Sequence, residues 1–253
     1  MKHLKSNTIL FLLGFIGVLS VIPLLPRLLE AQPQPIPVSL ATLQLLSVIQ
    51  SAVLLILMVI IGSFFARKVN LKAPVISAVG NSESMAQALR PQIMPAIWGG
   101  TLGGVLLILF FNGMSGYLPA QFLSAGEQLS LPWYTRLLYG GITEEILVRW
   151  GIMSLFVWVL YRLTQPKETP VKSYNYLFGI IISAILFGLG HLPAASLLTS
   201  ELTTLLIVYI ILGNAIFGFI AGYLFWKKGL ESAILAHIIT HLILIAGAAL
   251  GLS

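Results

Sequence analysis

The sequence predicts an all-α protein: a polytopic transmembrane helical bundle of about seven spans, with its amino terminus in the cytoplasm. Three observations predict it. Of its 253 residues, 58% are hydrophobic and 9% are charged, with a mean hydropathy of +0.97. A soluble domain carries about 25% charged residues, so the solvent for this chain is a bilayer. Seven apolar runs reach the roughly 20 residues that cross a hydrocarbon core. Finally, the basic residues between those runs fall almost entirely on one side.

The runs are 7–26, 40–66, 95–118, 133–161, 176–199, 203–226 and 230–251. The first follows Lys2 and Lys5 as a signal peptide would. It ends in "PLLPRLLEAQPQP", which offers no small-residue cleavage site, and is therefore expected to be an uncleaved helix. Breakers fill the links, notably "AQPQPIPV", "VNLKAPVISAVGNSESMAQALRPQ" and "TQPKETPVKS". With the amino terminus inside, the inner segments hold eleven of the fourteen basic residues: Lys2, Lys5, Arg67, Lys68, Lys72, Arg90, Arg162, Lys167, Lys172, Lys227 and Lys228. The outer links hold Arg27, while Arg136 and Arg149 belong to the fourth run. That asymmetry follows the positive-inside rule and supports an odd number of spans. Cysteine is absent, which removes disulfide and thiolate chemistry. No internal repeat of the kind found in transporters is visible.

All eight acidic residues are glutamates. Two of them, Glu144 and Glu145, stand in "TEEILVR" near the middle of the fourth run. A charge at the bilayer centre costs about 2.5–3.5 kcal/mol on insertion scales, so such groups face the bundle interior. Glu145 and Arg149 are four residues apart, on one helical face, and can form an ion pair. Glu144 is rotated by about 100° from Glu145 on an α-helix. One arginine neutralises two buried carboxylates poorly, which leaves Glu144 in need of another partner.

Histidines are the partners available. His3 lies at the solvated amino end. His191 follows Phe187 by four residues in the fifth run, and His237 and His241 are spaced i, i+4 in the seventh. A lone intramembrane histidine is ordinarily an interhelical hydrogen bonder; three of them with a spare glutamate point to chemistry. Such a glutamate can take a proton from water and return it to a leaving amine. Imidazole N–H groups can stabilise an oxyanion as it forms. The same set, Glu144 with three histidines, also suits a divalent metal such as zinc, although no H-E-x-x-H is present. Cofactor use is therefore open between none and one such metal. No Gly-x-Ser-x-Gly elbow accompanies these residues, so a covalent route has little support.

Glu144-Glu145-x-x-x-Arg149, Phe187-x-x-x-His191 and His237-x-x-x-His241 resemble, in order, the three motifs of the CPBP family. This family comprises type II CAAX prenyl endopeptidases and the Abi-like, bacteriocin-processing membrane proteins. The resemblance spans about residues 130–252 and separates a catalytic bundle, 130–253, from amino-terminal helices, 1–129, that match only in being hydrophobic. It implies a glutamate-dependent intramembrane endopeptidase, often described as a metalloendopeptidase, acting on CAAX-box proteins. In that reading Glu144, Glu145, His191, His237 and His241 form the catalytic set, with Arg149 and Phe187 in support. Glu144 and His191 would activate water, His237 and His241 would form the oxyanion site, and Glu145 with Arg149 would brace it. The family commonly carries asparagine where this chain has His241.

The partners expected are a peptide or protein substrate, prenylated or not, and the lipid bilayer, with no nucleic acid; the location expected is the plasma membrane. A non-catalytic membrane scaffold or immunity protein and a proton-coupled transporter are the competing functions. Asn214, Gly218 and Gly222, and the glycines of "WGGTLGG", read as close helix packing. Trp133, Tyr134, Trp158, Tyr161 and Trp226 read as interfacial aromatics.

Overall fold

A computed structural model describes residues 2–30, 38–128 and 131–252. The "AQPQPIPV" link, apart from Val38, and the boundary drawn between 129 and 130 lie outside the described residues, as does the side chain of His3. All regular structure among the described residues is helical. The elements are α1 (Lys2–Ser20), α2 (Leu40–Lys68), α3 (Pro74–Asn81), α4 (Met85–Ser115), α5 (Ala120–Gln128), α6 (Trp133–Thr164), α7 (Ser173–Gly190), α8 (Thr204–Lys227) and α9 (Leu230–Ala249). A tight turn at Ile22–Leu24 carries α1 into a short Leu25–Glu30 helix. Among the described residues, seven helices are long and apolar enough to span a membrane: α1 with its extension, α2, α4, α6, α7, α8 and α9.

Local chemistry starts these helices. Ser39, Ser84 and Thr203 each accept a hydrogen bond from the backbone N–H three residues on, at 3.2, 3.4 and 3.3 Å, satisfying a donor that has no partner within the helix. Outward faces are apolar, as Leu45, Ile49, Val53, Ile56 and Ile60 of α2 illustrate. Water would penalise such a face, whereas lipid tails solvate it. Helix association in lipid depends on packing, and glycine supplies the closest approaches. A Cβ at Gly100 of α4 would lie 2.6 Å from the Ala236 carbonyl oxygen of α9. One at Gly218 of α8 would lie 2.9 Å from Ala184 of α7. The packing role expected for the glycine faces is therefore what Gly100, Gly103, Gly218 and Gly222 perform.

Four expectations are corrected. The third span starts at Met85, not 95, where Ser84 caps the helix, and its helix runs through Pro91 and Pro95. The preceding link is partly helical, because Pro74 starts α3. The fifth span breaks at His191, where Pro193 starts a separate turn, Leu192–Ala195.

The largest correction concerns α6. Its turns are π-wound from Arg136 to Glu144 and from Ile146 to Met153. The hydroxyls of Thr143 and Ser154 likewise reach carbonyls five residues back, at Leu138 and Arg149, both at 3.4 Å. The α-helical rotation expected between Glu144 and Glu145 does not apply, because π turns close on i→i+5 bonds and are wider. The two carboxylates nevertheless diverge.

Candidate active site

Glu145 points into the protein. It and Arg149 are fully buried and pair at 3.3 Å, Nε to Oε2. Neither of these two atoms has a partner aligned as a hydrogen bond, so their attraction is chiefly Coulombic. The other carboxylate oxygen meets His237 Nδ1 at 2.9 Å. Arg149 Nη2 donates to the Gly218 carbonyl at 3.2 Å, and its guanidinium lies 5.0 Å from the Phe187 ring centroid. Gly218 permits this reach, since its missing side chain leaves the arginine beside the α8 backbone. Four helices, α6, α7, α8 and α9, are thus tied through one carboxylate and one guanidinium.

Glu144 points the other way, into a cavity of about 350 Å³. That volume lies at the lower end of ordinary small-ligand pockets. His191, His237 and His241 share its wall, together with Phe187 and Phe217. Glu144 Oε1 and His191 Nε2 stand 3.9 Å apart. This exceeds hydrogen-bond length, and a water can bridge such a gap. His191 Nδ1 lies 2.8 Å from the Phe187 carbonyl, which can only accept. The proton therefore sits on Nδ1, and in the neutral ring Nε2 presents a lone pair to the cavity. The break in the helix at His191 is what brings that ring onto the Phe187 carbonyl.

His237 and His241 stack, with centroids 4.8 Å apart and planes at 15°. Phe217 lies 4.3 Å from His237 on its other flank. Against an ionised Glu145, His237 Nδ1 must carry a proton; its Nε2 then donates only when the ring is the imidazolium, whose charge Glu145 balances. His241 Nδ1 is buried without a partner. An orphaned buried nitrogen is uncommon in folded proteins. Its Nε2 faces Gly140, where a Cβ would stand only 2.6 Å away.

The structure brings Glu144, His191, His237 and His241 to one cavity, and sets Glu145 and Arg149 behind its wall. It also adds residues that sequence reasoning missed. Arg136, one charge in an otherwise apolar stretch of wall, had a visible signal in its position inside a span. Tyr139 had none beyond the α6 register. Asn214 lines the cavity and donates to the Ile210 carbonyl at 2.8 Å, so the packing role read for it holds only for Gly218 and Gly222. Among the described residues, no three histidines or carboxylates converge as metal ligands.

Comparison with curated proteins and with solved structures gives no match. Comparison with protein families gives one, to the type II CAAX prenyl endopeptidase Rce1-like family over residues 126–243. That range contains α6 to α9 almost whole and all three motifs. Over residues 126–243 this integral membrane chain is thus similar to the Rce1-like family of type II CAAX prenyl endopeptidases, which supports the resemblance carried by its three motifs.

Proposed function

We propose that this protein is an intramembrane endopeptidase in which Glu144 and His191 activate a water for attack on a peptide carbonyl. The observation that carries the reading is the pair itself. A carboxylate oxygen and an imidazole lone pair stand 3.9 Å apart on an apolar cavity. A water between them donates one hydrogen to each, which turns an oxygen lone pair outward. As that oxygen bonds to the carbonyl carbon, Glu144 takes the water's proton. Negative charge gathers on the carbonyl oxygen, where His241 and protonated His237 donate. Collapse breaks the C–N bond, and Glu144 returns the proton to the leaving nitrogen. Glu145 acts through His237, holding its ring and balancing its charge. No step is routed through a metal.

The apolar walls suit a substrate whose cleaved region is hydrophobic, and a prenyl chain is one group of that kind. The plasma membrane is the proposed location. The test is cleavage of a peptide library by purified protein in liposomes, alongside folded Glu144→Gln and His191→Ala variants. Cleavage that persists unchanged in Glu144→Gln overturns the mechanism.

A further inference from the structure

The two ends of the bundle differ in charge, and the cavity belongs to one of them. Hydrogen bonds gather the basic segments at a single end. Tyr176 Oη of α7 donates to the Val69 carbonyl at 2.6 Å, and Leu230 N donates to the Lys72 carbonyl at 3.0 Å. Glu231 accepts from Ile76 N at 2.8 Å. Lys68 lies 5.3 Å from the Trp158 ring in the last turns of α6. Arg67, Lys68, Lys72, Lys172, Lys227 and Lys228 are therefore brought together, on the side that the positive-inside rule assigns to the cytoplasm.

The opposite end is built from the end of α1, the start of α6, α5 and the segment after α7. Thr135 Oγ1 donates to the Ser20 carbonyl at 2.8 Å, and Ser200 Oγ lies 3.2 Å from Gln121 Oε1. The cavity runs from the middle of the bundle to this end, where Phe122, Leu131, Arg136 and Leu198 line it. Its residues on α4, Leu107 and Phe111, also lie in the half of that helix farther from Arg90. Glu144 and His237 of the lining lie within the membrane-length helices α6 and α9, and the lining extends from them away from the lysines.

We propose that the cavity opens to the non-cytoplasmic side, and that its substrate is a peptide already carried across the membrane or anchored in its outer leaflet. The substrate class rests on the protease reading; the sidedness does not, because charge and geometry alone supply it.

The chain has no cysteine, so single cysteines report cleanly. Leu131→Cys sits at the mouth and Lys167→Cys in the exposed link at the basic end. In right-side-out vesicles, a membrane-impermeant maleimide is expected to label Leu131→Cys at once and Lys167→Cys only after lysis. The exposed Ser200→Cys replaces Leu131→Cys should the latter not accumulate. The reverse pattern, or labelling of both before lysis, overturns the assignment. An impermeant peptide that the purified protein cleaves is then offered to intact vesicles. Cutting without lysis is expected, and cutting that requires lysis overturns the substrate class. Failure of the purified protein to cleave any peptide counts against the protease reading alone, since labelling still reports the side.

Discussion

Glu144 and Glu145 are neighbours in sequence and opposites in surroundings. Glu145 is closed off from solvent and meets Arg149 at 3.3 Å and His237 at 2.9 Å. Glu144 remains 17% exposed and stands 3.9 Å from His191. On one side of α6 the polar groups neutralise one another, which fixes the His237 ring. On the other, a carboxylate oxygen and an imidazole nitrogen keep free lone pairs beside a cavity. The difference teaches how a bilayer protein can hold a carboxylate that lacks a counter-charge: a buried ion-paired cluster sits directly behind it, and Glu144 itself is left under-partnered.

Glutamine at each position separates the two roles. Glu144→Gln is expected to lower the cleavage rate by about 10²–10⁴-fold, the usual contribution of a general base, while the thermal midpoint in detergent stays close to that of wild type. Glu145→Gln should behave in the opposite way. It leaves Arg149 buried without its counter-charge, and removing one partner of a buried pair costs about 3–5 kcal/mol of stability. Thermal unfolding followed by circular dichroism reads that loss. The contrast breaks if Glu144→Gln unfolds and Glu145→Gln does not. A double Glu145→Leu, Arg149→Met variant is expected to lose less stability than the two single variants combined, since neither charge is then stranded.

A third variant asks whether α1, far away in sequence, holds the motif in place. Thr143, directly before the glutamates, donates to the Gly14 carbonyl at 2.7 Å. A Cβ at Gly17 would meet the Leu138 carbonyl oxygen at 2.5 Å, and backbone does not yield as a flexible side chain does. Gly17→Ala should therefore cost about 1–3 kcal/mol, the range of core overpacking. Gly113→Ala, with nothing within 4 Å, should cost little. Equal effects of the two would sever α1 from the contrast.

What could be read from the sequence was what side-chain type alone determines. Apolar runs and basic links reveal spans because partitioning depends on composition. The Glu145–Arg149 pair follows from spacing, and His191, His237 and His241 follow from scarcity, since few other polar partners exist within lipid. The remainder depends on backbone choices that residue type does not encode. The π winding between Arg136 and Met153 is one. The start of α4 through Pro91 and Pro95 is another, because proline normally argues for a boundary and here lies inside the helix. Arg136, Tyr139 and Asn214 became cavity residues only when the helices were packed together. The opening of the cavity toward the end poor in lysine required both kinds of information, charge from the sequence and depth from the structure.

His241 tests how far under-partnering extends. Its Nδ1 is buried with no partner, its ring stacks on His237, and its Nε2 faces Gly140. If its task is to donate one hydrogen bond to the oxyanion, the ring is replaceable by any donor of similar reach. His241→Ala should then lower the cleavage rate by about 10²–10³-fold, the usual cost of losing one such donor. His241→Asn should remain within about tenfold of wild type, a difference of about 1.4 kcal/mol in barrier, because the side-chain amide supplies an N–H. Were the imidazole needed as a base or as a ligand, asparagine would fail as badly as alanine. Cleavage rates of the two variants at equal folded protein decide between these roles, and a shared collapse would move His241 from the donating side of the cavity to the side of Glu144 and His191.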